Sequence, residues 1–347
     1  MRVFIQTKKQ WQMFAVVAIA ITTLLLTGCR TPEPLPLELW NDNTQSKEAL
    51  LDYVKTVTDT ESSEFIPVES RIAVFDLDGT LFLETDPTYF DWALFEHRVL
   101  EDPNYKASEE QIEVAKAARK GRLPSLNKYR ERLVSEAYKG MTINAFEAFV
   151  RKFMNEDQPG FNGLKRGDAF YKPMVELVEY LTKNEFTVYI ISGTDRLTVR
   201  PLAATLNIPP KQVIGSDSTI LASGQGEKDG LDYTFSKGDK LILGGKNLVK
   251  NLQMNKVAVI AQEIGVQPVL AFGNSLTDAS MLNYAIYANK YKALGFMLLC
   301  DDVLREYGNV EKAGKMRRDC EFNGWIPISM RDDWKTIYGK EVTKKQK

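Results

Sequence analysis

Residues 72–80 read Ile-Ala-Val-Phe-Asp-Leu-Asp-Gly-Thr, and this stretch decides the fold. Its first four residues are an apolar run of strand formers, and Asp76 and Asp78 follow on a turn that contains Gly79. Ligands bind at the carboxyl ends of strands in an open α/β sheet. Two carboxylates this close repel each other unless a cation lies between them or one is protonated. The stretch therefore indicates either a metal site or a nucleophile beside an acid/base.

The composition is that of an ordinary globular protein, with 347 residues, 44% hydrophobic and 26% charged. This length suffices for one large core or two modest ones. The formal net charge of -1 gives no indication of nucleic-acid binding. His97 is the only histidine, which excludes a His-rich zinc site, and it lies in a polar helical stretch far from any nucleophile motif.

A helical block follows the first strand. Over residues 89–172 apolar residues recur three or four positions apart, which predicts an almost wholly helical insertion. The predicted helices are 91–100, 108–120, 125–139 and 143–155. Such an insertion is a candidate lid over the strand ends, and the alternative is a helical half of a single core.

The rest of the chain alternates between strand and helix patterns. Strands are predicted at 186–191, 212–214, 268–272 and 295–300, and a hairpin at 219–243. Helices are predicted at 46–58, 173–183, 197–206, 256–264 and 277–288. This alternation predicts an α/β fold with a doubly wound parallel sheet.

The N-terminus has the pattern of a targeting segment. Three positive charges precede a 14-residue apolar run, residues 13–26, which is short for a membrane span and typical of a signal peptide. The run ends in Leu-Thr-Gly-Cys, which resembles the lipobox of bacterial lipoproteins. The resemblance implies a signal peptide at 1–28, cleavage before Cys29 and acylation of that thiol. An uncleaved membrane anchor is the alternative.

Both alternatives place the remaining chain outside the cytoplasm, and the lipobox resemblance implies that it is lipid-anchored in the cell envelope. Arg30 is not the Asp that resembles an inner-membrane retention signal, so the outer membrane or the periplasmic face is favoured. A Pro-rich tether is predicted at 29–45. In an oxidising compartment Cys300 and Cys320 either pair or remain buried free thiols.

Three further segments carry polar or charged residues at the end of a strand or the start of a helix, as the segment with Asp76 does. Ser192 follows a strand and, with the turn after it, can bind phosphate oxygens. Asn274 and Asp278 follow another strand, four residues apart, and offer oxygen ligands for a hard cation such as Mg²⁺. Lys256 opens a helix and can supply a fixed positive charge.

Taken together, these motifs resemble the phosphatases of the haloacid dehalogenase (HAD) superfamily, in the family's order and structural contexts. The resemblance spans about residues 72–288 and is closest to the phosphoserine-phosphatase-like members. It implies a Rossmann-like core, residues 46–88 and 173–347, and an inserted helical cap, residues 89–172. Such caps close over the site and suit small soluble phosphate esters.

The resemblance also implies the roles of the site residues. Asp76 would be the nucleophile that forms an aspartyl-phosphate, and Asp78 would protonate the leaving alcohol and then activate water. Lys256 would neutralise Asp76 and the phosphate, although Lys246 after a Gly-Gly turn is an alternative. Asp78 also favours ester hydrolysis over dehalogenation, because the dehalogenases lack this second Asp.

A phosphate site and a Mg²⁺ site complete the implied centre. Ser192, Gly193 and Thr194 would hold the phosphoryl oxygens. The metal ligands would be Asp76, Asp78 through its backbone carbonyl, Asn274 and Asp278. Many relatives carry Asp where this chain has Asn274, so one negative charge is lost and metal binding should weaken.

The substrate is less well defined than the chemistry. Glu84 lies near the position where phosphoserine phosphatases read an amino group, and the alternative is an exposed loop acid. Arg196 is a candidate for binding a substrate carboxylate or phosphate, with a structural salt bridge as the alternative. The aromatic residues Tyr89, Phe90, Trp92 and Phe95 either box a quaternary ammonium group or form the core of the cap.

The sequence thus predicts a Mg²⁺-dependent phosphatase for small phosphorylated metabolites, phosphoserine-like or phosphocholine-like. The membrane would be reached through the N-terminal lipid, and no protein partner is implied. The rival interpretation is a catalytically silent binding lipoprotein of the cell envelope on a HAD scaffold.

Overall fold

The computed structural model describes residues 36–84, 88–120 and 128–346, with the backbone alone at 128–130. The chain divides into two units, Met1–Glu38 and Leu39–Lys347. In the first unit, the described residues 36–38 lie in a turn. The predicted signal peptide and Cys29 lie outside the described residues, and so do most residues of the predicted Pro-rich segment.

The second unit is built on a mostly parallel sheet. Its strands are β1 Ile72–Phe75, β2 Phe161–Asn162, β3 Thr187–Asp195, β4 Val213–Ala222, β5 Leu241–Val249, β6 Leu270–Gly273, β7 Leu294–Leu299, β8 Ile326–Ser329 and β9 Thr343–Lys344. Among the described residues, seven strands form one sheet in the order β5-β4-β3-β1-β6-β7-β8. Neighbouring strands from β4 to β8 are parallel, and β5 is antiparallel to β4. The predicted doubly wound α/β fold is confirmed.

The central strand β1 is buried along its whole length, as its continuous apolar sequence requires when helices cover both faces of a sheet. The chain leaves β1 for β3 on one side and later reaches β6 on the other, so the strand order reverses beside β1. Phe75, Phe272 and Phe296 are paired in register and their rings stack, with centroids 4.2 and 4.9 Å apart. The segments that follow β1 and β6 therefore begin side by side, at a topological switch point.

Helices cover the sheet and form the insertion. They are α1 Gln45–Thr58, α2 Phe90–Leu100, α3 Glu109–Arg119, α4 Lys128–Glu136, α5 Ile143–Met154, α6 Lys172–Lys183, α7 Arg196–Ala203, α8 Met254–Val259, α9 Ala279–Ile286 and α10 Val310–Asn323. Helices α2 to α5 lie between β1 and β3 along the chain, where the helical insertion is predicted. The exact domain boundaries stay a prediction.

Local capping explains where the insertion's helices begin. Ser108 and Gln111 form a reciprocal capping box before α3, and the Thr142 hydroxyl accepts a hydrogen bond from the Ala145 amide at 3.1 Å before α5. The near-wholly helical prediction is wrong after α5. Pro159 and the nearby glycines interrupt the helical pattern, and β2 pairs with β9 there instead.

Two strands are longer than predicted. Strand β3 continues to Asp195, and β4 runs on to Ala222 because it pairs with β5 as the predicted hairpin. The sequence after position 214 is polar, so the extension of β4 could not be predicted from apolar residues. An antiparallel strand at the edge of a sheet does not need apolar residues on both faces.

The N-terminal residues of the second unit contact its C-terminal segment. Trp40 packs edge-on against Trp334 with ring centroids 6.0 Å apart, and its indole N–H donates to the Pro173 carbonyl at 3.0 Å. Backbone hydrogen bonds join Asn41 to Asp333 and Lys335 to Leu39. The predicted tether 29–45 is therefore too long at its C-terminal end, because a buried tryptophan anchors that end.

In the C-terminal segment, β8 pairs with β7 and α10 packs against the sheet. Cys300 and Cys320 are free thiols, which favours the second of the two alternatives for them. Within the described ranges, no helix has both the length and the apolar character that a membrane crossing requires.

Replacing Trp334 should destabilise the protein strongly, because the ring is buried against Trp40. We expect Trp334→Ala to lower the free energy of unfolding by about 3–5 kcal/mol, measured by urea denaturation. Phe322→Ala in the same C-terminal region is the control, since Phe322 is 90% exposed. Equal losses in the two variants would contradict this account of the C-terminal segment.

Candidate active site

A cleft opens where the carboxyl ends of β1, β3 and β6 meet. Its volume is about 380 Å³. The residues that line it are Asp76, Asp78, Glu84, Tyr89, Asp91, Trp92, Gly193, Thr194, Lys250, Leu252, Asn274, Ser275, Thr277 and Lys312. The structure thus brings together residues from the sequence motifs and from the start of the helical insertion.

Lys256 is the electrostatic centre of this site. Its side chain is 0% exposed, and its ammonium donates to Asp76 Oδ1 at 2.5 Å and to Asp278 Oδ1 at 2.7 Å. A third hydrogen bond, of 2.7 Å, goes to the Ile191 carbonyl. All three ammonium protons therefore have acceptors, which a buried lysine requires.

The charges of this cluster shift the titration of its members. Burial lowers the pKa of Lys256, but the charges of Asp278 and Asp76 outweigh burial and raise it above its usual range. Burial and the Asp278 charge raise the pKa of Asp76, and Lys256 opposes them. Lys256 is therefore held as a cation, and it stabilises the ionised form of Asp76 that a nucleophile needs.

The backbone before α8 directs Lys256 into the site. Gln253, the residue before this helix, has φ +56°, which is uncommon for a residue other than glycine. Its amide donates to the Thr277 carbonyl at 2.9 Å, which fixes the turn against the segment after β6. Lys246, the alternative motif lysine, is exposed on β5. The geometry thus favours Lys256.

Asp78 has one oxygen engaged and one oxygen without a partner. The Thr194 hydroxyl donates to Oδ2 at 2.8 Å, whereas the buried Oδ1 has no hydrogen-bond partner among the described residues. Burial, followed by the charges of Asp91 and Asp76, raises the pKa of Asp78 well above its usual value. Asp78 is therefore suited to carry a proton beside Asp76.

Gly79 allows the walls of the cleft to approach one another. It has φ +83°, and a Cβ atom there would lie 1.9 Å from Asn274 Nδ2 and 2.9 Å from Glu84 Oε2. The Asn274 amide nitrogen donates to Glu84 Oε2 at 3.2 Å. This contact turns the Asn274 nitrogen toward Glu84 and leaves its amide oxygen as an acceptor.

Glu84 belongs to the site, so the alternative of an exposed loop acid is wrong. The residue is 7% exposed, and its Oε1 accepts a hydrogen bond from the Tyr89 hydroxyl at 2.7 Å. Lys312 from α10 lies 3.8 Å from the same oxygen. Glu84 thus links the segment after β1 to the insertion and to the C-terminal helix.

Asp278 is not placed as the predicted metal ligand. Its Oδ1 accepts from Lys256, and its Oδ2 accepts the backbone amides of Asn274 and Ser275, both at 3.1 Å. The side chain is 1% exposed. Asp278 therefore fixes Lys256 and the turn after β6, because its oxygens are occupied by these donors.

The remaining donors still fit a hard divalent cation. They are the carboxylate of Asp76, the backbone carbonyl of Asp78 and the amide oxygen of Asn274, so the Asp78 carboxyl stays free to carry a proton. Within the described residues, no three His, Cys, Asp or Glu side chains form a metal-binding group. Mg²⁺ is commonly held by one or two carboxylates with water completing its shell, so one carboxylate and two neutral oxygens suffice.

Ser192 supports from within the end of β3 that is predicted to bind phosphate. It is fully buried, and its Oγ accepts the Thr194 amide at 3.0 Å, so the structure places Gly193 and Thr194 rather than Ser192 on the cleft wall. Sequence reasoning missed the residues behind this strand end. The Asn251 side chain donates to the Ser192 carbonyl at 3.1 Å, and the Ser216 hydroxyl donates to the Gly193 carbonyl at 2.6 Å.

Arg196 does not reach the cleft, so the prediction that it binds substrate is wrong. Its guanidinium pairs with Asp217 at 2.6 Å and with Glu263 at 2.7 Å. Two carboxylates on neighbouring elements satisfy this group, which corresponds to the structural salt bridge left open as the alternative. The sequence around Arg196 does not show which acidic residues lie beside it in the fold.

The aromatic residues of the insertion divide into two groups. Phe90 packs against Phe153, and Phe95 is fully buried against Trp92, as members of the insertion's core. Tyr89 and Trp92 face the cleft instead. Asp91, Lys250 and Lys312 also line the cleft, and no motif marks them in the sequence.

The sequence profile of the haloacid dehalogenase-like hydrolases matches residues 73–283, which is more than half of the chain. The chain belongs to this family of hydrolases. The match confirms the predicted family, and with it the prediction of an enzyme that hydrolyses its substrate. No curated protein sequence matches this HAD-like hydrolase significantly.

Solved structures with a similar fold include a protein of unknown function from Bordetella pertussis Tohama I. It is 16% identical, with 74% of this chain and 97% of that chain covered and a TM-score of 0.48. Cytosolic 5'-nucleotidase IIIB bound to cytidine is 12% identical, with coverages of 84% and 87% and a TM-score of 0.47. A phosphoserine phosphohydrolase-like protein from Francisella tularensis subsp. tularensis SCHU S4 is 16% identical, with coverages of 71% and 92% and a TM-score of 0.38. These likenesses are too distant to carry an argument about substrate.

Removing the buried ammonium should destabilise this HAD-like hydrolase. We expect Lys256→Met to lower the free energy of unfolding by about 3–5 kcal/mol, because Asp76 and Asp278 lose their shared cation. The matched control is Lys246→Met on the exposed edge strand, which should change the free energy by less than about 0.5 kcal/mol. Urea denaturation at neutral pH measures both, and a larger loss for Lys246→Met would reverse the assignment of the motif lysine.

Proposed function

We propose that this protein is a magnesium-dependent phosphatase that hydrolyses small phosphate monoesters through a phosphorylated Asp76. Phosphoserine-like and phosphocholine-like molecules are the substrate types that the sequence suggests. The observation that carries the proposal is the pairing of Asp76 with Lys256 at the floor of a cleft that also contains Asp78. Membership of a hydrolase family supports the reaction type.

In the first step, Asp76 attacks the phosphorus atom. Lys256 holds Oδ1, so the second carboxylate oxygen, which has a 3.5 Å contact with the Thr80 hydroxyl, is the one available to the substrate. The new bond joins Asp76 to phosphorus, and the bond from phosphorus to the ester oxygen breaks. Asp78 gives its proton to the departing alkoxide, which leaves as an alcohol.

In the second step, the aspartyl-phosphate is hydrolysed. Asp78, now ionised, takes a proton from a water molecule that attacks phosphorus, and Asp76 leaves as a carboxylate. The Thr194 hydrogen bond keeps Asp78 in place for both roles. One aspartate can act as acid and then as base because the two steps use opposite proton transfers.

Charge on the phosphoryl oxygens must be offset, since phosphoryl transfer depends mostly on positioning and electrostatic stabilisation. The buried cation of Lys256 lies beside the attacking carboxylate, and Lys250 lines the cleft. Asp76, Asp78 and Asn274 would hold Mg²⁺, which supplies further positive charge to the phosphoryl group when bound.

The cellular setting is a separate part of the proposal and rests on the sequence. Acylation of Cys29 would anchor the enzyme in the cell envelope, so that it would meet small phosphate esters outside the cytoplasm. The helical insertion would enclose such substrates, because Tyr89 and Trp92 form one wall of the cleft.

Asp76→Asn should abolish hydrolysis, since an amide is a poor nucleophile. We expect kcat for p-nitrophenyl phosphate to fall at least about 10³-fold, and EDTA to remove wild-type activity until Mg²⁺ is restored. The control is Asp52→Asn on the exposed face of α1, which should keep full activity. Activity that survives Asp76→Asn would contradict the covalent mechanism, and an inactive wild type would favour a silent binding protein.

Asp78→Asn should slow the hydrolysis of esters with poor leaving groups more than that of esters with good leaving groups. General acid catalysis contributes about 10²–10⁴-fold, and an alkoxide needs the proton far more than p-nitrophenolate does. We therefore expect kcat/KM to fall more steeply for glycerol phosphate than for p-nitrophenyl phosphate. The ratio kcat/KM is the informative quantity because it reports the first step. Equal losses for both esters would argue against Asp78 as the acid.

A further inference from the structure

A second cavity, of about 80 Å³, adjoins the cleft and lies under the helical insertion. We call it the inner cavity. The side chains that define it are Asp91, Trp92, Glu131, Tyr138, Asp195 and Lys250. Asp91, Trp92 and Lys250 also line the cleft, so the two spaces meet at these residues. Since one water needs roughly 10–15 Å³, the inner cavity has room for several non-hydrogen atoms.

The insertion is held over this space by backbone hydrogen bonds to the edge strand. The Gly140 amide donates to the Leu243 carbonyl at 2.8 Å, and the Leu243 amide donates to the Met141 carbonyl at 2.9 Å. Thr142 forms a bridge with Ile242 in the same place. The inner cavity therefore lies where backbone hydrogen bonds join the insertion to β5 of the core.

Tyr138, which lines the inner cavity, has a buried hydroxyl group that a polar ligand could satisfy. The residue is 6% exposed and its ring packs against Phe146 at 4.9 Å, yet its buried hydroxyl has no hydrogen-bond partner in the described part of the chain. Leaving a buried hydroxyl unpaired costs roughly 1–3 kcal/mol. A ligand group that hydrogen-bonds to this hydroxyl would remove that cost.

The charges around the inner cavity favour a cation. Three carboxylates line it against one lysine, Lys250, which lies on the side of the cleft. Asp195 is already engaged, because it accepts the Leu197 amide and the Ser218 hydroxyl, both at 2.9 Å. Asp91 accepts the Trp92 amide at 2.7 Å with one oxygen.

We infer that the inner cavity receives the leaving group of the substrate, and that this group is an alcohol carrying a protonated amine with N–H donors. The inference rests on the proposed phosphatase function. The phosphate lies toward Lys250 and Lys256, and the ammonium lies toward Glu131 and Tyr138. An N–H donor satisfies the Tyr138 hydroxyl oxygen as well as a carboxylate, and the aromatic rings of Trp92 and Tyr138 add cation–π attraction.

The test uses pairs of substrates that differ in one group. Aminoalkyl monophosphates of two to five carbons are compared with alkyl monophosphates in which a methyl group replaces the ammonium. We expect kcat/KM to favour the amine at its best chain length by at least about tenfold. Phosphocholine, which has no N–H, should be a poorer substrate than the best primary amine. Equal rates within every pair, or a preference for phosphocholine, would overturn the inference.

Two variants connect the preference to the inner cavity. Glu131→Gln should reduce the preference for the amine, and the matched control Glu113→Gln, exposed on α3, should not. Tyr138→Phe should also reduce it while leaving the melting temperature unchanged or higher, because it removes a hydroxyl without a partner. A residue with a merely structural role would lower stability and leave the preference unchanged. That result for Tyr138→Phe would overturn its assigned role.

Hydrolysis of p-nitrophenyl phosphate separates this inference from the proposed function. If the wild type hydrolyses this ester but shows no preference within the matched pairs, the inference about the inner cavity fails alone. If the wild type hydrolyses neither p-nitrophenyl phosphate nor any matched ester, the phosphatase proposal fails, and the inference fails with it.

Discussion

The site depends on the buried ammonium group of Lys256. It joins the carboxylate after β1 to the carboxylate after β6, and its third proton reaches the carbonyl of Ile191 in β3. Three parallel strands are thus tied together at their carboxyl ends by one charge. Without that charge, Asp76 and Asp278 would be buried anions with no cation between them, which costs several kcal/mol per ion. The cluster therefore stabilises the fold and, in the proposed mechanism, also prepares Asp76 as the nucleophile.

The rest of the site is organised around this cluster. The stacked phenyl rings of Phe75, Phe272 and Phe296 hold β1, β6 and β7 in register, and Asp76 and Asn274 follow shortly after the first two rings. Gly79 lets Asn274 and Glu84 approach the turn after β1. The helical insertion then adds a wall and a second cavity. In the proposed function the core supplies the chemistry and the insertion surrounds the leaving group.

Much of this could be predicted from the sequence, because apolar strands and the polar residues that follow them are local signals. The sheet, the hairpin, the helical insertion and the meeting of Asp76, Asp78 and Lys256 follow from such signals. The errors concern side chains whose direction depends on distant partners. Asp278 is turned to Lys256 and backbone amides, Arg196 to Asp217 and Glu263, and Trp40 to Trp334. The inner cavity also escaped prediction, because its residues come from separate elements and share no motif.

The covalent role of Asp76 is the central claim, and trapping the phosphorylated enzyme tests it most directly. The enzyme would be quenched in acid during turnover of a ³²P-labelled monoester with Mg²⁺ and then digested for peptide mapping. The account predicts label on the peptide that contains Asp76, lost in Asp76→Asn. Label on a different residue, or turnover with no labelled protein under conditions that preserve acyl phosphates, would contradict it.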